Sequence, residues 1–242
     1  MLSRNEVKYI QSLRHKKNRN QENLFIAEGT KIISELIDAN FDVKKIYAVK
    51  EWIDLNAGIK NIIDVSDDEL KKISGFETPN KVVAVVEKRN AITSPVLKNK
   101  ITLLLDGIQD PGNLGTIIRT ADWFGIENII ASVDTTDVYN PKVVQATMGS
   151  IVRVNVFYTD LKVFLSTNNI MVYAAVLDGE NISAIPATNE CILIIGNESK
   201  GIRKHIQPYI QKKVSVQKTG NAESLNAAVA TGIILFKLVE KN

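Results

Sequence analysis

The sequence predicts an α/β protein with two domains, a small mixed one followed by a larger one on a parallel sheet. Three observations carry this. From Ile101 onward, short continuous apolar runs alternate with helix-like stretches, the pattern of parallel strands covered on both faces. Three glycine loops, Asp110-Pro111-Gly112-Asn113-Leu114-Gly115, Gly196-Asn197-Glu198-Ser199-Lys200-Gly201 and Gly220-Asn221-Ala222-Glu223-Ser224-Leu225-Asn226, each follow such a run. With 242 residues, 45% hydrophobic and 24% charged, the chain can bury a full core and suffices for one large or two small domains.

The first part is mixed. Val7, Ile10 and Leu13 have helical spacing, Phe25-Ile26-Ala27 suits a short strand, and the apolar pairs Ile32, Ile33 and Leu36, Ile37 predict a helix over 30–39. Residues 43–49 read as a strand, followed by a polar segment and a strand at 62–65. Ser66 and Glu69 fit a capping box that opens a helix, and 82–86 closes the domain as a strand. Charged residues with Ser94-Pro95 and Asn99 make 87–100 a linker, so the domains are expected at 1–95 and 96–242.

In the second part, strands are expected at 101–105, 128–131, 151–157, 171–177, 191–195 and 213–216, with helices at 114–124, 141–148, 160–167, 199–210 and 223–240. No internal repeat is visible. Loops at the carboxyl ends of such strands present polar side chains and free backbone N–H groups, the usual ligand site of open α/β sheets. An enzyme is expected.

Composition narrows the function. No stretch reaches about 18 consecutive apolar residues and Met1 to Glu6 lacks the apolar core of a signal peptide, so no membrane partner and a cytoplasmic protein are expected. One cysteine, Cys191, rules out an internal disulfide; it lies in the apolar run Cys191-Ile192-Leu193-Ile194-Ile195 and suits core packing. With only His15 and His205 to add, no metal site is expected. The net charge of +3 is mild, but Arg4, Lys8, Arg14, Lys16, Lys17 and Arg19 face a single acid, Glu6, among the first twenty residues. That cluster could neutralise phosphates, or be a solvated helix face.

Each loop has a plain structural reading beside a functional one. Asn113 suits an N-cap. Arg119, about two turns further on, either sits in a surface ion pair or points into a site or across a subunit boundary. The Gly196 loop has the skeleton of a phosphate loop, but Ile202-Arg203 stands where a nucleotide-binding loop needs Lys and Ser or Thr, so an ATPase is excluded. Nor does any G-x-G-x-x-G occur. Glu198 could serve a helix dipole, and Ser224 and Asn226 could cap the last helix.

Taken in order, Asn113-x-Gly115-x-x-x-Arg119-x-Ala121, Gly196-x-Glu198-x-x-Gly201 and Gly220-x-x-x-Ser224-Leu225-Asn226 resemble the three motifs of the SpoU (TrmH-type) RNA 2′-O-ribose methyltransferases of the SPOUT superfamily. Asn140-Pro141-Lys142 and Ala146-Thr147-Met148-Gly149 are also similar to the family, and residues 5–90 resemble the L30e/L7Ae-like substrate-binding domain that often precedes it. Two positions depart. Gln217 stands where a proline is usual, and Ala227 where a larger aliphatic is common. Without the ring that fixes a backbone angle, Gln217 is expected to loosen its loop.

The resemblance implies an α/β trefoil knot in the C-terminal domain, S-adenosylmethionine as methyl donor, and a homodimer joined through the apolar face of the last helix. It assigns Arg119, Asn113, Glu198, Ser224 and Asn226 to catalysis, and Gly196, Asn197, Val216, Leu225 and Thr147 to the cofactor. It also favours Arg14, His15, Lys16, Lys17 and Arg19 as RNA contacts. Ribosomal RNA is favoured over tRNA, because a leading basic domain can grip a folded element by shape and phosphates. A tRNA ribose methyltransferase, a base methyltransferase of the same superfamily and a non-catalytic RNA-binding or assembly factor remain alternatives.

Overall fold

A computed structural model describes residues 1–89 and 95–239. The chain divides into two compact units, Met1–Asn90 with Asp137–Val152, and Ala91–Thr136 with Arg153–Asn242. Residues 137–152 thus pack with the first unit although they lie inside the 96–242 stretch. Part of the expected linker, and residue 240 of the expected last helix, fall outside the described residues.

In the first unit, Ser3 opens α1 (Arg4–Ser12) by accepting a hydrogen bond from the Glu6 amide, as an N-cap should. There follow α2 (Lys16–Glu22), β1 (Leu24–Glu28), α3 (Thr30–Asp38), β2 (Val43–Ala48), α4 (Lys50–Leu55), β3 (Ile62–Asp64), α5 (Asp67–Ile73) and β4 (Val82–Glu87). Ser66 and Glu69 form the expected capping box on α5. The sheet order is β1-β4-β2-β3, antiparallel except for β2 with β3. The segment read as polar begins instead with α4, which tucks Trp52 into the core with its indole N–H on Thr30 Oγ1 at 3.0 Å.

The second unit carries a wholly parallel sheet. Its elements are β5 (Ile101–Asp106), α6 (Pro111–Trp123) and β6 (Asn128–Ser132), then, after α7 (Pro141–Thr147) of the first unit, β7 (Asn155–Thr159), α8 (Leu161–Ser166), β8 (Val172–Asn181), β9 (Cys191–Gly196), β10 (Lys212–Ser215) and α9 (Ala227–Val239). The order is β10-β8-β9-β5-β6-β7. Leu104, Ile130, Ile192 and Ile194 of the central strands pack under Leu161 and Leu165 of α8, which is why those strands read as unbroken apolar runs.

Two expectations fail here. Residues 151–157 are not one strand; a short 3-10 turn over Ser150–Val152 precedes β7. The helix expected over 199–210 is absent apart from a 3-10 turn at Gln207–Tyr209. The Arg203 amide, which the interior of such a helix would need, donates to Asp106 instead, and Gly201 lies in the left-handed region at φ 64°. Glu198 accordingly serves no helix dipole.

Candidate active site

The three glycine loops leave the carboxyl ends of β5, β9 and β10 within the second unit. In the first, the N-cap of α6 is Asp110, not Asn113: Asp110 Oδ1 accepts from the Asn113 amide at 2.8 Å, and Pro111 occupies the first turn, where its missing N–H costs nothing. That cap leaves the Asn113 side chain available.

Asn113 Nδ2 donates to Glu198 Oε1 at 2.7 Å, while Asn113 Oδ1 accepts from Asn226 Nδ2 at 2.7 Å. One amide thereby joins all three loops. Asn226 does a second job, its Oδ1 accepting from the amides of Ala228 and Val229 at 2.9 and 3.3 Å to cap α9. With its oxygen committed to amides, Asn226 can approach Asn113 only as a donor, so Asn113 must turn its own Nδ2 toward an acceptor. The Glu198 carboxylate meets that need.

The second loop is a tight turn. The backbones of Asn197 and Gly201 exchange hydrogen bonds at 3.1 and 2.9 Å. A Cβ on Gly196 would lie 2.6 Å from the Gly201 carbonyl carbon. The Asn197 side chain ties the turn to β5's exit, donating from Nδ2 to the Gly107 carbonyl at 2.7 Å. Behind the turn, buried Asp106 accepts from the Arg203 amide at 2.8 Å and pairs with its guanidinium through Nε and Nη2. Arg203 Nη1 also lies 3.4 Å from Asp134. Hydrogen bonding from Ser132 and the nearby Arg203 charge hold the Asp134 carboxyl below its ordinary range, against some desolvation.

The remaining expected residues are placed as follows. Arg119 lies on the exposed side of α6 and makes no hydrogen bond or ion pair among the described residues. Ser224 and Leu225 are exposed and Val216 is half-buried. In place of a proline, Gln217 accepts a hydrogen bond from Asn181 Nδ2 at 2.7 Å through its side-chain carbonyl. Thr147 belongs to the other unit, where it is buried with its hydroxyl on the Val144 carbonyl at 2.7 Å. Cys191 is fully buried, and burial pushes its thiol up to about 12, which makes it inert at neutral pH.

In the first unit His15, Lys16 and Lys17 are exposed. Arg14 spends one arm of its guanidinium on the carbonyls of Ile73 and Ser74 at the end of α5. Arg19 corrects the expectation: it is 1% exposed, bonded to Asp137 through Nε and Nη2 and to the carbonyls of Leu13 and Arg14 through Nη1. A buried guanidinium committed in this way is structural and has no charge to offer a phosphate.

Sequence reading missed Asp106, Asp134 and Arg203. A signal existed, because Asp106 ends the apolar run Leu103-Leu104-Leu105 of a central strand, and a carboxylate there needs a partner. Among the described residues no three or more His, Cys, Asp or Glu are grouped to hold a metal ion, and no helix is long and apolar enough to cross a membrane.

Comparison with known proteins accords with this arrangement. Residues 100–236 match the SpoU rRNA Methylase family, and residues 4–84 match the MRM3-like substrate binding domain. The chain is 32% identical over 240 residues to the 23S rRNA (guanosine(2553)-2'-O)-methyltransferase RlmP of Bacillus subtilis, covering 96% of this chain and 95% of that protein. Among solved structures, the AdoMet-bound rRNA methyltransferase from Sinorhizobium meliloti superposes with a TM-score of 0.85 at 30% identity, covering 98% of this chain and 95% of that one. The SpoU methyltransferase AviRb from Streptomyces viridochromogenes, in complex with AdoMet, gives 0.87 at 26% identity, covering 98% and 97%. The three loops that Asn113 ties together are thus those of a SPOUT fold with an N-terminal substrate-binding domain, and the chain belongs to the SpoU rRNA methylase family.

Proposed function

We propose that this protein is an S-adenosylmethionine-dependent RNA methyltransferase acting on a ribose 2′-hydroxyl of ribosomal RNA. The observation that carries the reading is the Asn226–Asn113–Glu198 chain, which draws three motif loops into one site at the carboxyl edge of a parallel sheet. The RNA class rests on likeness to RlmP over nearly the whole length of both chains.

The loops suit the methyl donor. Val216, Ile202 and Leu225 leave apolar surface partly uncovered beside turn backbone, a combination that accommodates an adenosine by packing and backbone hydrogen bonds. S-Adenosylmethionine supplies an electrophilic methyl group on a sulfonium. The protein must position the 2′-oxygen and help its proton leave. Arg119 is suited to the first task, since its fork is uncommitted and can hold the adjacent phosphate in two places. With a guanidinium pKa above about 12, Arg119 is a poor base at neutral pH, so the proton passes to phosphate or water. Asn113, Glu198 and Asn226 hold the loops in register, and Ser224 presents an exposed hydroxyl beside Leu225.

Residues 1–95 serve as the RNA-binding part, with Arg14, His15, Lys16 and Lys17 as phosphate contacts, and 96–242 as the methyltransferase part, with the 137–152 segment packed in the first unit. The molecule works as a cytoplasmic homodimer. Val229, Ile233 and Phe236 follow helical spacing along one side of α9 and all are exposed, Phe236 to 64%, an apolar face that a second copy would cover.

The test is transfer of labelled methyl from S-adenosylmethionine to unmodified ribosomal RNA and tRNA, comparing wild type with Asn113→Ala and Arg119→Ala. Label in ribosomal RNA as a 2′-O-methyl nucleoside, lost in both variants, is expected. Label in tRNA would redirect the substrate, label in a base would redirect the chemistry, and absence of cofactor binding would leave an RNA-binding or assembly factor.

A further inference from the structure

We propose that Asp106 and Arg203 form a positioning pair that sets the shape of the 196–203 loop and, through it, affinity for the methyl donor. The proposal rests on the reading above. Asp106 is the last residue of β5 and lies opposite Gly196 in the β5–β9 ladder, so its backbone stands at the point where the loop departs. Its carboxylate, fully buried, takes the Arg203 amide and guanidinium where the loop returns. One residue therefore holds both ends.

Its neighbour tightens the arrangement. The Gly107 carbonyl accepts from Asn197 inside the loop, and the Gly107 amide donates to Ser132 Oγ at 2.9 Å at the end of β6. Ser132 Oγ in turn meets Thr135 Oγ1 at 2.9 Å. The loop carries no regular secondary structure apart from its turn, and removing the Asp106 charge releases its returning end while the sheet beneath stays intact.

Asp106→Asn keeps shape and an acceptor for the Arg203 amide; Arg203→Leu removes the partner but strands the buried Asp106 carboxylate, so its folding is checked by denaturant unfolding and Asp106→Asn carries the test if it is destabilised. Two readouts are needed. The first uses no ligand: hydrogen exchange of the Ser199, Lys200 and Arg203 amides, expected to quicken in either variant. The second is steady-state kinetics. The Michaelis constant for S-adenosylmethionine is expected to rise about tenfold, with kcat at saturation and the Michaelis constant for RNA within about twofold. The double variant should be no worse than the worse single one, as for residues acting as a unit.

Unchanged exchange with unchanged cofactor affinity overturns the proposal. So does a loss confined to kcat, which would place the pair in the chemistry, or additive losses in the double variant. If the wild type binds no S-adenosylmethionine, the methyltransferase reading falls together with the affinity half of the proposal, and faster exchange in Asp106→Asn would still establish the clamp on the loop.

Discussion

Asn226 donates to Asn113 at 2.7 Å across 113 positions of sequence, which makes the start of the last helix a fixed distance from the start of α6. Because Asn113 is simultaneously a donor to Glu198, its amide cannot be replaced by a group that only donates or only accepts. Asn113→Ala loses both bonds and is expected to lower kcat by about 100-fold, the scale of a misplaced site.

Asn113→Asp is a sharper test of the same geometry. It sets a carboxylate against Glu198, and two carboxylates in contact share a proton rather than both ionise. As pH falls, that proton restores a donor between them. Rate measurements from neutral to mildly acidic pH are expected to show Asn113→Asp recovering relative to Asn113→Ala as the medium is acidified; parallel profiles would mean that the two side chains do not touch during turnover.

How much of this could be read beforehand depends on whether an interaction was local. The capping box at Ser66 and Glu69, the apolar strands and the three loops are runs whose pattern is contained in a few neighbouring residues. The absent helix over 199–210 was not, because the distant Asp106 takes the Arg203 amide that its interior would need. Arg19 shows the same limit: four basic neighbours made it look like surface, and only Asp137, 118 positions away, buries it. For α6 the error was smaller, since Asp110 and Asn113 are both good caps and the proline at 111 decides for the earlier one.

Arg119 is exposed and outside every hydrogen bond and ion pair among the described residues, so Arg119→Lys should leave stability within about 0.5 kcal/mol. Activity should not survive as well. Lysine keeps the charge but loses the planar fork, and single-turnover rates are expected to fall at least about 100-fold with S-adenosylmethionine affinity unchanged. Near-normal turnover would remove Arg119 from phosphate binding.

The basic N-terminal cluster separates into two kinds of residue. Arg19→Ala strands the Asp137 carboxylate and should cost about 3–5 kcal/mol of stability, seen in denaturant unfolding. Lys16→Ala and Lys17→Ala should leave unfolding unchanged while weakening RNA binding, each reducing the slope of log affinity against log salt by about 0.7–0.9. An unchanged slope would make these lysines a solvated face with no phosphate to meet.

Gly196 and Gly220 look alike in sequence but differ in what surrounds them. A Cβ at Gly196 would stand 2.6 Å from the carbonyl carbon of Gly201 and 2.7 Å from the amide of Ile202, whereas at Gly220 nothing lies within 4 Å. Backbone cannot swing aside as a flexible side chain can, so Gly196→Ala should cost about 1–3 kcal/mol through overpacking, a Tm lower by roughly 2–12 °C in a chain of this size. Gly220→Ala should fall within about 0.5 kcal/mol of wild type. The contrast also bears on function: Gly196→Ala must open the Asn197–Gly201 turn, pull Asn197 from the Gly107 carbonyl and carry Glu198 away from Asn113, so cofactor affinity should fall with stability. Calorimetric titration of both variants with S-adenosylmethionine checks this, and equal affinity in the two would mean that the turn's shape does not govern the site.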